Sequence, residues 1–312
     1  MATARKQPEQ EPAGFDLNGF PNGVYIGMLL LAAAFWGMGT VVIKDAIDSF
    51  PPLWLVGIRF ILAGALSSLA CWRRIKRNFN RDTLAVGALL GVFVALSYLF
   101  NTGGLVFTTA SKSVFYTNTY CIMMPFIIWV IMRRAPLKEH FAAAGLCVAG
   151  IAMVTFAYGV GTVNFNVGDA LTLCSALAVG IHLALVARFS EGRDVLALTC
   201  IQFLVCGVVS LSAGAICHGP LDVSLLGQPD VLRSLAYLVI FASCAALMLQ
   251  NVAMANVDTM TGSLLLATEC IFGTVFAVIF LGESLNLVTI CGFALIGIAI
   301  AVSEVLSSRA QT

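Results

Sequence analysis

Charge is what this chain of 312 residues has least of: Asp, Glu, Lys and Arg together make up 11% of it, against roughly 25% in an ordinary soluble domain. Seventeen basic and sixteen acidic residues leave a net charge of +1. That balance, with no extended basic block, argues against nucleic acid as a partner. Histidine is scarce, at positions 140, 182 and 218 only, so no metal site is expected. The ten cysteines show no C-x-x-C spacing and lie almost all inside apolar runs, where a cysteine reads as a small buried hydrophobe and not as a disulfide partner or ligand. A Walker G-x-x-x-x-G-K-[ST], H-E-x-x-H, G-x-S-x-G and a dinucleotide fingerprint are all missing. ATP hydrolysis is therefore unsupported and no cofactor is expected.

Apolar residues fill the space that charge leaves. They form 60% of the chain, and the mean hydropathy is +0.96. Whole segments are apolar on every face, where the helices of a soluble domain of this length would mostly alternate apolar and polar faces. Crossing a bilayer takes about 20 such residues, and ten segments qualify: 24–43, 52–72, 84–101, 109–132, 141–158, 170–189, 195–217, 232–255, 261–281 and 288–305. The fold class read here is an all-α integral membrane protein of ten transmembrane helices. Residues 1–23 are polar and proline-bearing and read as a disordered tail, with a second short tail at 307–312. Thirteen of the seventeen Lys and Arg fall on one side, including Arg73, Arg74, Lys76, Arg77 and Arg81. By the positive-inside rule that side is cytoplasmic, with both termini in it, in a cell (inner or plasma) membrane.

The chain also repeats itself at an offset near 150. Leu99-Phe-Asn101 falls on Leu249-Gln-Asn251, and Thr109-Ala-Ser-Lys-Ser113 on Thr259-Met-Thr-Gly-Ser263; with a slightly shorter offset, Gly145-x4-Gly150 falls on Gly292-x4-Gly297. Each copy holds five spans, so the second enters from the opposite face: repeats at 24–158 and 168–306, joined by a linker at 159–167. An odd-numbered duplication makes an inverted repeat, and transporters place substrate between such halves.

At this point the residues resemble a known group. Phe35-Trp-Gly-Met-Gly-Thr-Val-Val-Ile-Lys44, Pro51-Pro-Leu-Trp-Leu-Val-Gly-Ile-Arg59-Phe60, and the closing run Glu269-Cys-Ile-Phe-Gly-Thr-Val-Phe-Ala-Val-Ile-Phe-Leu-Gly-Glu283-Ser-Leu are similar to motifs of the drug/metabolite transporter superfamily, in particular its ten-helix EamA-like branch. Two departures stand out: Cys270 replaces the family's proline, and Arg133-Arg-Ala-Pro136 replaces its Gly-Glu after the fourth helix. The resemblance implies a secondary transporter for a small organic metabolite (an amino acid, a drug-like or a related solute), and an exporter. The partners expected are the solute and the lipid bilayer, with the chain a monomer or homodimer.

Polar residues inside the spans mark the candidate site. A charge at mid-bilayer costs roughly 2.5–3.5 kcal/mol on insertion scales, so Glu269, eight residues into the ninth span, stands out. It reads as a cavity residue for a cationic group or a proton, or as a structural partner of another helix. Arg59, in the second span, reads as a carboxylate binder or as a structural cation. Lys112 reads as an outer-gate residue with Tyr116 and Asn118 beside it, or as a snorkelling lysine. Asn101 with Tyr98, and Asn251 in the other half, read as cavity lining or as interhelical hydrogen bonds. Gln202 takes the position in the seventh span that Arg59 holds in the second, and Trp36 lies too deep for an interfacial anchor. His182 shares a stripe with Ser175 and Thr172. Two other functions remain open at this stage: an intramembrane enzyme using Glu269 or His182 as acid and base, and a solute channel.

Overall fold

Apolar helices in a bilayer must satisfy their backbone internally, and here they do so as a bundle with no strand among the described residues. The computed structural model describes residues 19–108, 110–133, 135, 138–156, 165–281 and 286–309. Of the expected tails at 1–23 and 307–312, residues 1–18 and 310–312 lie outside them, as do most of the linker (159–164) and Glu283 of the closing motif, while 22–23 and 307–309 are helical.

The first half runs α1 (Asn22–Ile47), α2 (Pro52–Ala70), the short α3 (Trp72–Asn78), α4 (Arg81–Leu105), α5 (Ala110–Asn118), α6 (Tyr120–Met132) and α7 (Lys138–Phe156). The second runs α8 (Val167–Phe189), α9 (Val195–His218), α10 (Pro229–Val239), a π-helical segment (Ile240–Ala245), α11 (Ala246–Met254), α12 (Thr259–Leu266), α13 (Glu269–Leu281) and α14 (Leu287–Arg309). Nine stretches among the described residues are long and apolar enough to cross a membrane, and the apolar part of α14 (Leu287–Ser303) makes the tenth. Two spans that the sequence reads as continuous are broken. The fourth divides into α5 and α6 at Thr119, and the ninth into α12 and α13 at Ala267–Thr268. The second span is shorter than expected: it ends at Ala70, and Trp72 opens α3, whose sequence is too charged and too short to show a hydrophobic period.

Local chemistry sets the boundaries. Pro52 and Pro229 sit at the first turns of α2 and α10, where a missing N–H costs nothing. Asn166 and Asp169 close a capping box on α8, and Asp194 and Asp258 cap α9 and α12, satisfying free N–H groups.

The closest helix packing joins the two halves, α2 to α9, α7 to α14 and α4 to α8 and α9. Glycine makes it possible. A Cβ added at Gly57 would lie 2.6 Å from Leu211, at Gly64 2.6 Å from Leu204, at Gly207 2.7 Å from Ile61 and at Gly214 3.2 Å from Trp54. Gly57 and Gly207, like Gly64 and Gly214, are 150 apart in the chain, the same offset as Asn101 and Asn251. By this register the position equivalent to Arg59 is Val209, which corrects the assignment of Gln202 to that place. Counting from the span ends misaligns the helices because α2 and α9 differ in length, 19 against 24 residues.

Candidate functional site

A central cavity with about 850 Å³ of empty volume, its mouth included, lies between the halves. Its wall is drawn from α1, α2, α4, α5, α6, α8, the π-helical segment, α11, α12 and α13; among the described residues neither α9 nor the α7–α14 pair contributes. Toward the end where α1 begins lies an apolar cluster that includes Tyr25, Leu29, Leu90, Met124, Leu198 and Leu264, and toward the opposite end a second one that includes Ile43, Phe50, Leu55, Leu105 and Leu238. The side chains that α1 and α4 lend to the wall come from the half nearer the opposite end, for example Thr40 and Asn101.

Glu269 is the first residue of α13, directly after the break. That position suits a carboxylate, because the free N–H groups of a helix start carry partial positive charge. Its Oε1 lies 3.3 Å from Thr40 Oγ1, which is also 3.3 Å from the Trp36 carbonyl one turn back. The approach of α1 depends on Gly37, where an added Cβ would come within 2.7 Å of Gly273 N and 2.8 Å of the Glu269 carbonyl. No cation pairs with Glu269 among the described residues.

Arg59 is 1% exposed and likewise has no carboxylate partner among the described residues. Its Nη2 donates to the Ala242 carbonyl at 2.8 Å and its Nε to Ser243 Oγ at 2.5 Å. The guanidinium also stacks on Tyr98 and Phe60, 4.8 and 5.2 Å from the ring centroids, a favourable placement over a negative ring face. Trp36 Nε1 donates to the same Ala242 carbonyl at 2.9 Å. The wide turn of the π-helical segment thus presents one backbone acceptor to two donors, as π-bulges at functional sites often do.

Five expected residues converge on the cavity: Trp36, Arg59, Tyr98, Asn101 and Glu269. Asn101 Nδ2 is held by Thr117 Oγ1 at 2.8 Å and Ser113 Oγ at 3.3 Å. The other five stand apart from its wall. Lys112 pairs with Asp169 at 3.6 Å, and Asp169 also accepts from Thr108 Oγ1 at 2.6 Å. Tyr116 stacks between Phe115 and Phe165. Asn118 is buried and donates back to the Val114 carbonyl. Gln202, buried behind the wall, meets His182 Nε2 through Oε1 at 3.3 Å. Asn251 accepts from Gln250 and donates to Thr199 Oγ1, so of the two equivalent asparagines only Asn101 reaches the cavity.

Sequence reading passed over Thr40, Ser97, Ser113, Thr117 and Tyr120, all of which line the wall. Thr and Ser carry no charge to flag them in an apolar run, though their spacing along α4 and α5 is helical. His182 and Gln250 also line it. Among the described residues no three His, Cys, Asp or Glu side chains converge as a metal site would require.

Comparison with known proteins agrees with this architecture. The chain is 28% identical to a protein of Archaeoglobus fulgidus described as an uncharacterized transporter, over 88% of this chain and 83% of the relative. It is 23% identical to an uncharacterized transporter of Bacillus subtilis, over 93% and 96% respectively. A solved crystal structure, 16% identical, superposes with a TM-score of 0.74 over 93% of this chain and 99% of its own; that likeness bears on the fold alone. The model of the EamA-like transporter family matches twice, at residues 23–156 and 166–304, and with two such repeats in an all-helical membrane bundle, the chain belongs to that family.

Proposed function

We propose that this membrane transporter is a secondary transporter that moves a small organic metabolite by alternating access between its two inverted halves. One observation carries the reading. A carboxylate and a guanidinium, Glu269 and Arg59, both face a cavity between the halves, and neither has an oppositely charged partner among the described residues. Charges are kept inside a membrane where they serve a solute or ion path. Glu269 engages an amino group or a proton, and Arg59 fixes the wall from which Tyr98 and Trp36 project. Asn101, Thr40 and Gln250 supply neutral hydrogen bonds. Export is the direction the family resemblance favours, from a cell membrane in which both termini are cytoplasmic.

The test begins with a thermal-shift screen of metabolites on the purified protein, since a solute that binds the native state raises its apparent stability. A stabilising solute should then show saturable uptake and counterflow in proteoliposomes. Flux without saturation or counterflow would identify a channel. Chemical conversion of the solute in detergent would point to an enzyme built on Glu269 or His182.

A further inference from the structure

We propose that α3 and the start of α4 form a binding site for the anionic headgroups of membrane lipids. The helix α3 begins two residues after α2 leaves the apolar layer, so it lies at the membrane boundary. Its 100° repeat divides the side chains into two faces. Arg74, Ile75 and Asn78 share one face and are partly covered, where α3 packs on α9. Trp72, Arg73, Lys76 and Arg77 occupy the other and are exposed, Trp72 at 62%. Phe79, just past the helix, is also 62% exposed. Two large aromatic rings left uncovered beside a row of cations suit the membrane interface, where aromatic rings and cations both sit at headgroup level.

Charge accounting singles out this face. Within residues 72–82 and the α8–α9 turn at 190–194 there are six cations and three carboxylates. Two carboxylates are taken: Asp194 holds Arg74 at 3.2 Å, and Asp82 holds Arg193 at 2.7 Å. Arg73, Lys76, Arg77 and Arg81 are exposed and make no ion pair among the described residues. Four cations without an ion pair within nine positions, against Glu191 as the one carboxylate left over, give an excess of three positive charges at a membrane surface that fits phosphate-bearing lipid. The same two ion pairs tie α3 and α4 of the first half to the α8–α9 turn of the second. Lipid held here is therefore in mechanical contact with both halves. The site does not depend on what the central cavity carries.

Trp72 is its own probe. The full chain is reconstituted in phosphatidylcholine vesicles containing a minor fraction of either brominated phosphatidylglycerol or brominated phosphatidylcholine, and Trp72 quenching is taken as the difference between wild type and Trp72→Phe. The expected result is several-fold stronger quenching by the anionic lipid, falling at high salt and mostly lost in Arg77→Gln, since one cation near the surface is worth about fivefold in affinity for the anionic lipid. The triple variant R73Q/K76Q/R77Q should lose the preference. Because stripping three charges can disturb insertion, the single variant Arg77→Gln and the salt series on wild type stand beside it. Equal quenching by the two lipids overturns the proposal, as does an unchanged preference in Arg77→Gln and at high salt. Loss of the preference on adding inorganic phosphate at constant ionic strength would show a free-phosphate site and overturn it as well.

Discussion

At Glu269, the contact with Thr40 decides what substitution should do to the fold. Glu269→Gln keeps the side-chain size and an oxygen for Thr40, so the fold should change by no more than about 1 kcal/mol, while uptake in proteoliposomes should fall to background. If the residue carries a coupling proton, wild-type flux should vary with pH and the glutamine variant should not. Normal, pH-dependent uptake by a well-folded Glu269→Gln protein would leave the residue without a transport role. Arg59 predicts the opposite balance. Lysine in its place has neither the planar fork that reaches Ala242 and Ser243 together nor the stacking on Tyr98, so Arg59→Lys should lower thermal stability by about 1.5–3 kcal/mol. An unchanged melting temperature would mean those contacts contribute little. These charged residues were legible in the sequence because each is conspicuous in an apolar run. Thr40, Ser113 and Thr117 were not, because a hydroxyl in a membrane helix is commonly satisfied by its own backbone, as Ser67 and Thr172 are.

Individual helices carry a different kind of information. A chain of apolar helices announces its number of spans through length alone, and all ten were readable that way. Where a span breaks is set by tertiary contacts, and hydrophobic period says nothing about it when every face is apolar. Thr119, Ala267 and the π-helical segment are such cases; none of them falls on a proline or glycine. At Gly37 the close approach is to backbone, which cannot move aside. Gly37→Ala should destabilise by about 1–3 kcal/mol and reduce transport by shifting Glu269. Gly145→Ala and Gly297→Ala make the control, since an added Cβ there meets nothing within 4 Å and alanine favours a helix by roughly 1 kcal/mol. Equal melting temperatures for Gly37→Ala and wild type would remove the argument that α1 is seated by that contact. Deleting Phe241 should turn the π-helical segment into regular α-helix and swing the Ala242 carbonyl away from Trp36 and Arg59, with loss of transport; retained activity would show that the shared acceptor is dispensable.

For the whole molecule, orientation is the property that charge placement argues and packing does not. The proposed orientation, both termini cytoplasmic, predicts that a cysteine placed at Asp222 in a variant lacking Cys217 should react with a membrane-impermeant maleimide added outside intact cells. One placed at Arg77 should react only after permeabilisation. Strong outside labelling at position 77 would invert the topology. The approximate twofold relation between halves was legible from polar and glycine positions, but its unequal use was not. Asn101 faces the cavity and Asn251 is enclosed behind it, because Thr199 and Gln250 give the second asparagine partners of its own.

The glycine seams have a consequence for how the chain is made. Gly150 and Gly292 meet backbone to backbone, each within 2.7 Å of where the other would need room for a Cβ, and the seams between α2 and α9 are just as narrow. A ribosome that has finished only the first copy has released a set of helices whose tightest partners do not yet exist. Such a half is an unfinished surface and a natural substrate for membrane quality control. Expressed alone, residues 1–158 should therefore be degraded quickly; expressed together with 159–312 from a second message, both pieces should persist and co-purify. The duplication thus behaves as two complementary parts of one object whose assembly is itself the folding step.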